Sequence, residues 1–372
     1  MFSREGFTID VVAGAIRNWI ISPRTALPIA LALTWEPVFS RLIQQLESQD
    51  RATNLRSRVY LLAAVGFVLA LNDQLNKKTA NNWVSDSRWN WDKEIIVLTG
   101  GSSGIGESIA KRLIAKNPQT RIAIIDYVPL TWTPPRNSRV YYFECDLTDP
   151  AAIKTTCDRI RAEVGHPTVL FNNAGLARGA TVMEGTQRDV ELTIKTNLIA
   201  PFLLCKEFLP EMARKDHGHI LNTGSMSSVV SAPSIVDYSA SKSGLTALHE
   251  GLQLELKGLH KAPRVRLTLG IFGFIRTPLF TGKTNESNFV TPLLNVETVS
   301  EKLVDALYSG YGGTIYAPGV MRYVTALKGG PEWLFRGIRE RSLRIDFDAK
   351  RQENRYEKDT GKRIGPALEG LK

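Results

Sequence analysis

Residues 94–126 limit the fold more than any other stretch of this chain. Glu94-Ile95-Ile96-Val97-Leu98 is a β-branched apolar run that leads directly into Thr99-Gly100-Gly101-Ser102-Ser103-Gly104-Ile105-Gly106, then into the helical pattern Ser108 to Ala115. A short apolar run bounded by glycines reads as a buried strand. Strand, glycine turn and helix together make the phosphate-cradling half of a parallel unit: glycines let the backbone approach a pyrophosphate, and the positive end of the helix directs free N–H groups toward it. A second strand, Arg121-Ile122-Ala123-Ile124-Ile125, ends in Asp126, twenty residues after Gly106. A carboxylate there accepts hydrogen bonds from an adenosine ribose and repels a 2′-phosphate, which favours NAD and leaves NADP as the second choice. The competing reading of Asp126 is an ordinary strand-end aspartate in a turn.

The pattern then repeats. Val140 to Leu147 is a third strand closing on Asp146-Leu147, with a helix from about Pro150 to Val164, and Pro167 to Phe171 is a fourth, ending in Asn172-Asn173-Ala174-Gly175. Asp146 is placed to contact an adenine ring; small and amide residues after the fourth strand suit a flat cofactor face, and Asn172 is as well explained by a structural role. Further strand-like runs follow at Ile220–Gly224, Val265–Phe272 and Gly313–Ala317. Strands alternating with helices predict an α/β protein, a Rossmann-type doubly wound parallel sheet.

The chemistry-bearing residues fall at the ends of these units. Tyr238 and Lys242 are four apart, so on a helix they share a face, and the ammonium is expected to favour the phenolate and lower the tyrosine pKa. Ser225, just beyond the strand Ile220–Gly224, can hold a substrate oxygen beside Tyr238. Asn197 lies in the apolar helical stretch Val190–Phe208, where asparagine is a poor helix former and asks for a reason such as a kink, a bound water or a contact with a neighbouring turn. Gly273-Phe274-Ile275-Arg276-Thr277-Pro278 opens from the sixth strand as a loop able to meet a nicotinamide amide and phosphates. Leu279 to Leu294, dotted with Phe280, Phe289 and Leu293-Leu294, suits a lid over an apolar pocket. Tyr-x-x-x-Lys alone occurs by chance in many helices; the ordered surroundings give it meaning.

With these motifs in hand, residues 94–320 resemble the short-chain dehydrogenase/reductase family. The matching features are the Thr99–Gly106 loop, Asp146-Leu147, Asn172-Asn173-Ala174-Gly175, Asn197, Ser225, Tyr238-x-x-x-Lys242 and Thr277. The resemblance implies hydride transfer with Tyr238 as acid/base, Lys242 lowering its pKa and holding the nicotinamide ribose, Ser225 polarising the carbonyl and Asn197 holding a relay water. It implies a cofactor site of Gly100, Ser102, Ser103, Gly104, Ile105, Gly106, Asp126, Asp146, Leu147, Asn173, Ala174, Gly175, Gly273, Ile275 and Thr277, with Tyr238 and Lys242 shared. Phe272-Gly273 departs from the family's usual Pro-Gly. The stretch Tyr238–Glu250 and the tail segment Leu343–Ala349 are similar to the membrane-bound retinol dehydrogenase and 17β-hydroxysteroid dehydrogenase type 11 group. That group carries N-terminal anchors and acts on lipid alcohols and ketones at the endoplasmic reticulum or lipid droplets. The resemblance permits a homodimer through the helices carrying Asn197 and Tyr238.

The first ninety residues read differently. Phe7 to Trp35 is apolar but broken by Arg17, Pro23, Arg24 and Pro28, and Val59 to Leu71 is an uninterrupted apolar run. Thirteen apolar residues fall short of the roughly 20 of a spanning helix, so a shallow, re-entrant or interfacial insertion is the first reading and a packed structural helix the second. Arg56, Arg58, Lys77 and Lys78 flank the run as headgroup partners would. The expected organisation is a hydrophobic, membrane-associated region and linker over 1–92, a NAD(P)-binding domain over 93–320 and a basic tail over 321–372. The net charge of +10 is densest in that tail, with no arginine-rich block or nucleic-acid motif, which points away from nucleic acid and toward a membrane surface. Cys145, Cys157 and Cys205 have neither metal-ligand spacing nor an even-numbered framework, so reduced thiols in a cytosol-facing protein and no metal are expected. The functional expectation is an oxidoreductase acting on a lipophilic alcohol or ketone, with a catalytically silent NAD-binding scaffold at a membrane or lipid droplet as the alternative.

Overall fold

The computed structural model describes residues 3–85, 89–277, 279, 283–284 and 287–346, and the chain divides into two compact units, Met1–Thr79 and Ala80–Lys372. The first unit is helical: α1 (Ile9–Ala15), α2 (Pro23–Ala32), α3 (Glu36–Leu46) and α4 (Gln49–Ala80). Ser22 caps α2 by accepting the Arg24 N–H, and Pro23 takes the first position, where a missing donor does no harm. The apolar run from Val59 lies inside a far longer helix, because the polar turns on both sides of it continue α4 to 32 residues, about 48 Å at 1.5 Å per residue. Among the described residues α4 is the one helix long and apolar enough to cross a membrane. Its Leu61 and Val68 are more than 60% exposed. Gly66, buried in the middle of α4, lets the chain after α1 come close: a Cβ there would lie 1.7 Å from the Ile21 carbonyl oxygen. Arg17 and Asp73 pair within the same unit.

The second unit is built on β1 (Ile95–Thr99), β2 (Arg121–Asp126), β3 (Arg139–Glu144), β4 (Val169–Asn172), β5 (Gly218–Thr223), β6 (Val265–Phe272) and β8 (Gly313–Ala317). All pair in parallel in the order β3-β2-β1-β4-β5-β6-β8; two-residue strands β7 (Lys283–Thr284) and β9 (Ile345–Asp346) pair separately. Strand alternation divides the apolar side chains between two layers. Val97, Ala123 and Leu170 face α6 (Pro150–Glu163), α8 (Ala200–Lys215) and α9 (Val236–Leu254), while Ile96, Ile124 and Phe171 face α5 (Gly104–Lys116) and α10 (Val296–Ser309). Burial on both faces explains why the central strands read as unbroken apolar runs. Strand order reverses between β1 and β4, and ligands of such sheets bind at the carboxyl ends beside that reversal. The remaining helices are α7 (Gln187–Ile194), α11 (Met321–Leu327) and α12 (Glu332–Arg341).

The polar segment after Thr79 is tied down rather than free. Asn81 exchanges two hydrogen bonds with the backbone of Gly312, and the buried Arg266 guanidinium donates to the carbonyls of Asn81 and Val84. Trp89 stacks on Trp91 at 5.1 Å and Trp91 meets Tyr308 at 4.3 Å, so these two tryptophans of the segment are packing groups of the second unit. The cysteines are buried free thiols, with burial pushing Cys157 and Cys205 up to about 12.

Candidate functional site

The loop after β1 folds around glycines for steric reasons that can be stated atom by atom. Gly100 and Gly104 take positive φ angles of 69° and 59°. A Cβ on Gly106 would sit 2.0 Å from the Gly100 carbonyl oxygen and 2.8 Å from Asn173 Nδ2, and one on Gly101 would lie 2.6 Å from Ile124. The cradle that α5 opens onto therefore fits a dinucleotide: backbone fills the places where side chains would otherwise stand. Thr99 locks it to β4, accepting the N–H groups of Asn173 and Ala174 at 3.0 and 2.9 Å and donating to the Phe171 carbonyl.

Asp126 stands at the end of β2 beside this loop. Its carboxylate accepts the Ser102 N–H at 2.9 Å and the Val128 N–H at 3.3 Å, which fixes the glycine turn while leaving other lone pairs for a ribose. Ser102 itself is fully buried and donates its hydroxyl to Val128, and Ser103 holds the position before α5 in extended conformation. Asp146 is exposed, one oxygen already accepting both donors of Thr148, and Leu147 packs in the core beneath it.

Ser225, Tyr238, Lys242 and Asn197 come together at the carboxyl ends of β4 and β5. Ser225 Oγ accepts the Ser227 N–H at 3.2 Å and the Ser227 hydroxyl at 2.9 Å, which leaves its own O–H to be donated. Lys242 is buried and donates to the Thr223 carbonyl at 2.8 Å, its ammonium 5.6 Å from the centre of the Tyr238 ring. Burial brings Lys242 down to about 8. The expected lowering of Tyr238 by Lys242 is corrected here: burial raises the phenol above its ordinary 10, and the opposing influence is the neighbouring Ser225 hydroxyl, which favours the phenolate. Desolvation of the phenolate outweighs an ammonium that is turned toward a backbone carbonyl.

Asn197 lies in a π-helical turn, Lys195–Ile199, between α7 and α8. The widened turn answers the question its sequence context posed. Its amide accepts the Leu176 N–H at 2.9 Å and donates to the Leu176 carbonyl at 2.8 Å and to Ser241 Oγ at 3.0 Å, so it clasps the chain after β4 to α9. Gly175 keeps the space between these groups open; a Cβ there would be 3.4 Å from Asn197 Oδ1 and 3.5 Å from Lys242 Nζ.

Asn173, Gly175, Ser225, Tyr238, Lys242, Gly273, Ile275 and Thr277 line one cavity of about 390 Å³, together with Ile105. Its far wall is apolar, with Val230, Ile235, Val290, Met321, Val324 and Ile338 among the lining residues. Of the expected lid, Leu279 and Val290 to Pro292 line the cavity, Leu294 is core, and Phe280 lies outside the described residues. Sequence reasoning missed Ser241, Gly101 and the walls contributed by α11 and α12. Gly101 sits in the glycine run and was open to discovery there; the others carry no local signal.

The family model for short chain dehydrogenases matches residues 94–288. Dehydrogenase RED2 of Cochliobolus heterostrophus is 38% identical over 217 residues, 58% of this chain and 81% of that protein. Estradiol 17-beta-dehydrogenase 11 of Homo sapiens is 26% identical over 260 residues, 69% of this chain and 85% of that protein. A short chain dehydrogenase/reductase from Burkholderia phymatum, solved in complex with NAD, superposes with a TM-score of 0.54 at 20% identity, covering 63% of this chain and 93% of that one. The family match spans more than half of the residues: the chain belongs to the short-chain dehydrogenase family and is an NAD(P)-dependent dehydrogenase acting on CH–OH groups.

Proposed function

We propose that this protein interconverts a lipophilic alcohol and its carbonyl compound, with NAD preferred over NADP, at a membrane surface of the cytosol-facing endoplasmic reticulum or a lipid droplet. The observation that carries the reading is the cavity, whose wall beyond Ser225 and Tyr238 is mainly apolar. Such a wall holds hydrocarbon through burial at about 25 cal/mol per Å² and offers little to a polyhydroxylated substrate. The Asp126 carboxylate beside the glycine loop supports the preference for NAD. The exposed apolar side chains of α4 support membrane attachment.

When bound, NAD(P) gives or takes the hydride; the chain orients the substrate and moves the proton. In oxidation the O–H bond of the alcohol breaks and its proton passes to the phenolate form of Tyr238 as the C=O bond forms, while the Ser225 hydroxyl donates to the substrate oxygen; because burial raises the phenol, this direction gains as pH rises. In reduction Tyr238, which burial keeps protonated at neutral pH, returns that proton. Lys242 and Gly175 provide the cation and the open space against the nicotinamide ribose, and Asn197 holds the two chain segments that frame them.

Detergent-solubilised full-length protein offered retinoid, steroid and long-chain alcohols with each nicotinamide should reduce NAD and lose this activity in Tyr238→Phe. Absence of hydride transfer across the panel, with NAD still bound, would overturn the enzymatic reading in favour of a scaffold that merely holds NAD.

A further inference from the structure

One charged group in the cavity has no place in the reaction just described. Helix α12 and its C-cap Ser342 turn Ile338, Arg341 and Ser342 toward the cavity, spaced i, i+3, i+4 as on one helix face. The other two arginines of this helix are engaged: Arg336 with Glu340 at 3.0 Å, and Arg339 with Glu332. Arg341 makes no hydrogen bond or ion pair among the described residues. It is exposed, whereas Lys242 is buried, so the cavity runs from the reacting groups inside to this guanidinium at its rim. Among the described residues the cavity lining contains no aspartate or glutamate, and its charged members are Lys242 and Arg341.

An apolar passage closed by a proton-transfer centre at one end and an unpaired fork of N–H donors at the other matches a particular shape of molecule. We infer that Arg341 binds an anionic group, a carboxylate or a phosphate, carried by the substrate at the end opposite its carbinol carbon. The substrate class is thus an anionic amphiphile rather than a neutral lipid. Planar, permanently charged guanidinium suits either anion by paired hydrogen bonds, which are the stronger kind. The inference rests on the lipid-alcohol reading of the same cavity and narrows it.

The test compares three compounds of matched chain length with the full-length protein in detergent and NAD: an ω-hydroxy fatty acid, its methyl ester, and an alkyl phosphate bearing a terminal hydroxyl. Wild type is expected to favour the acid or the phosphate over the ester by about tenfold or more in kcat/KM, mainly through KM, as a charge-assisted pair would give. The better of the two names the anion. Arg341→Gln should erase that advantage and leave turnover of the ester unchanged, and Arg341→Lys should restore part of it. Equal handling of acid, phosphate and ester by wild type would overturn the inference, as would an Arg341→Gln that slows all three alike. A raised KM for NAD with the acid preference intact would also overturn it, by giving Arg341 to the coenzyme's phosphates. Turnover of the ester in those cases leaves the lipid-alcohol reading standing, whereas no turnover of any compound would sink that reading and this inference together.

Discussion

Replacing Lys242 with methionine separates what this residue does for catalysis from what it does to the fold. Its ammonium is buried, and its pKa falls from 10.5 to about 8. The gap of about 2.5 pH units, at about 1.36 kcal/mol each, makes the charged lysine unfavourable to the native state by about 3 kcal/mol. Below pH 8 folded and unfolded chains both hold the proton, so this penalty is fully present. Between about 8 and 10.5 the unfolded chain keeps its proton while the folded one releases it, so native stability rises with pH across that window. Methionine removes the penalty along with the charge-assisted hydrogen bond to the Thr223 carbonyl, which contributes about 2 kcal/mol. Lys242→Met should therefore be more stable than wild type by about 1 kcal/mol at pH 7, with the difference reversing toward pH 10.5. Urea unfolding of both full-length proteins in the same detergent, followed by tryptophan fluorescence from pH 7 to 10, measures the difference directly. Groups other than residue 242 titrate in both proteins and cancel. A difference that stays constant across the window would refute the reasoning, as would a variant clearly less stable at pH 7. Hydride transfer should be nearly lost at every pH.

Gly106→Ala places a methyl group 2.0 Å from the Gly100 carbonyl oxygen, with the Asn173 side chain also crowding it, so NAD affinity measured by calorimetry should fall at least about tenfold; an unchanged Kd would show that the loop is softer than its packing implies. Asp126→Asn removes the charge that repels a 2′-phosphate while keeping an acceptor for the Ser102 N–H, and should shift the NAD/NADP ratio of kcat/KM toward NADP by about tenfold; an unaltered ratio would assign Asp126 to the loop alone. Gly66→Leu cannot fit against the Ile21 carbonyl, so amide exchange over residues 9–21 should accelerate at least about tenfold by mass spectrometry as that packing opens; exchange as slow as wild type would mean that the first unit holds together without it.

Much of the second unit was legible because its signals are local. The β1 glycine turn, the Asp126 ending and the alternation of strands with helices are each forced by neighbours in sequence, and the parallel sheet follows from burial on both faces. Tyr238 and Lys242 were readable for the same reason: one helix fixes their spacing. Their electrostatics were not, because the direction of a pKa depends on how completely the surrounding fold excludes water rather than on the four-residue interval. Asn197 shows the intermediate case. Its presence in an apolar helix signalled something irregular, but a π turn that clasps Leu176 to Ser241 depends on residues more than twenty and forty positions away.

The cavity marks where local reasoning stops, and it does so for a physical cause. Its reacting end is assembled from Gly175 and Ser225, close after β4 and β5, and from Tyr238 and Lys242, one turn apart on α9, positions that sequence reveals. Its outer end draws on the stretch after β6 and the loop before α10, whose apolar residues already suggest a lid, and on α11 and α12, where the local pattern is basic and weakly apolar. Read along the chain, the arginines of α12 look like the solvated face of a tail, and two of them are just that, paired with glutamates of their own helix. Only the placement of α12 against the cavity makes the third different. Hydride chemistry needs a few groups at fixed spacing, whereas substrate choice is written in which distant helix closes the pocket, so the same family motifs can serve many substrates and Arg341 is where this chain's own choice can be tested.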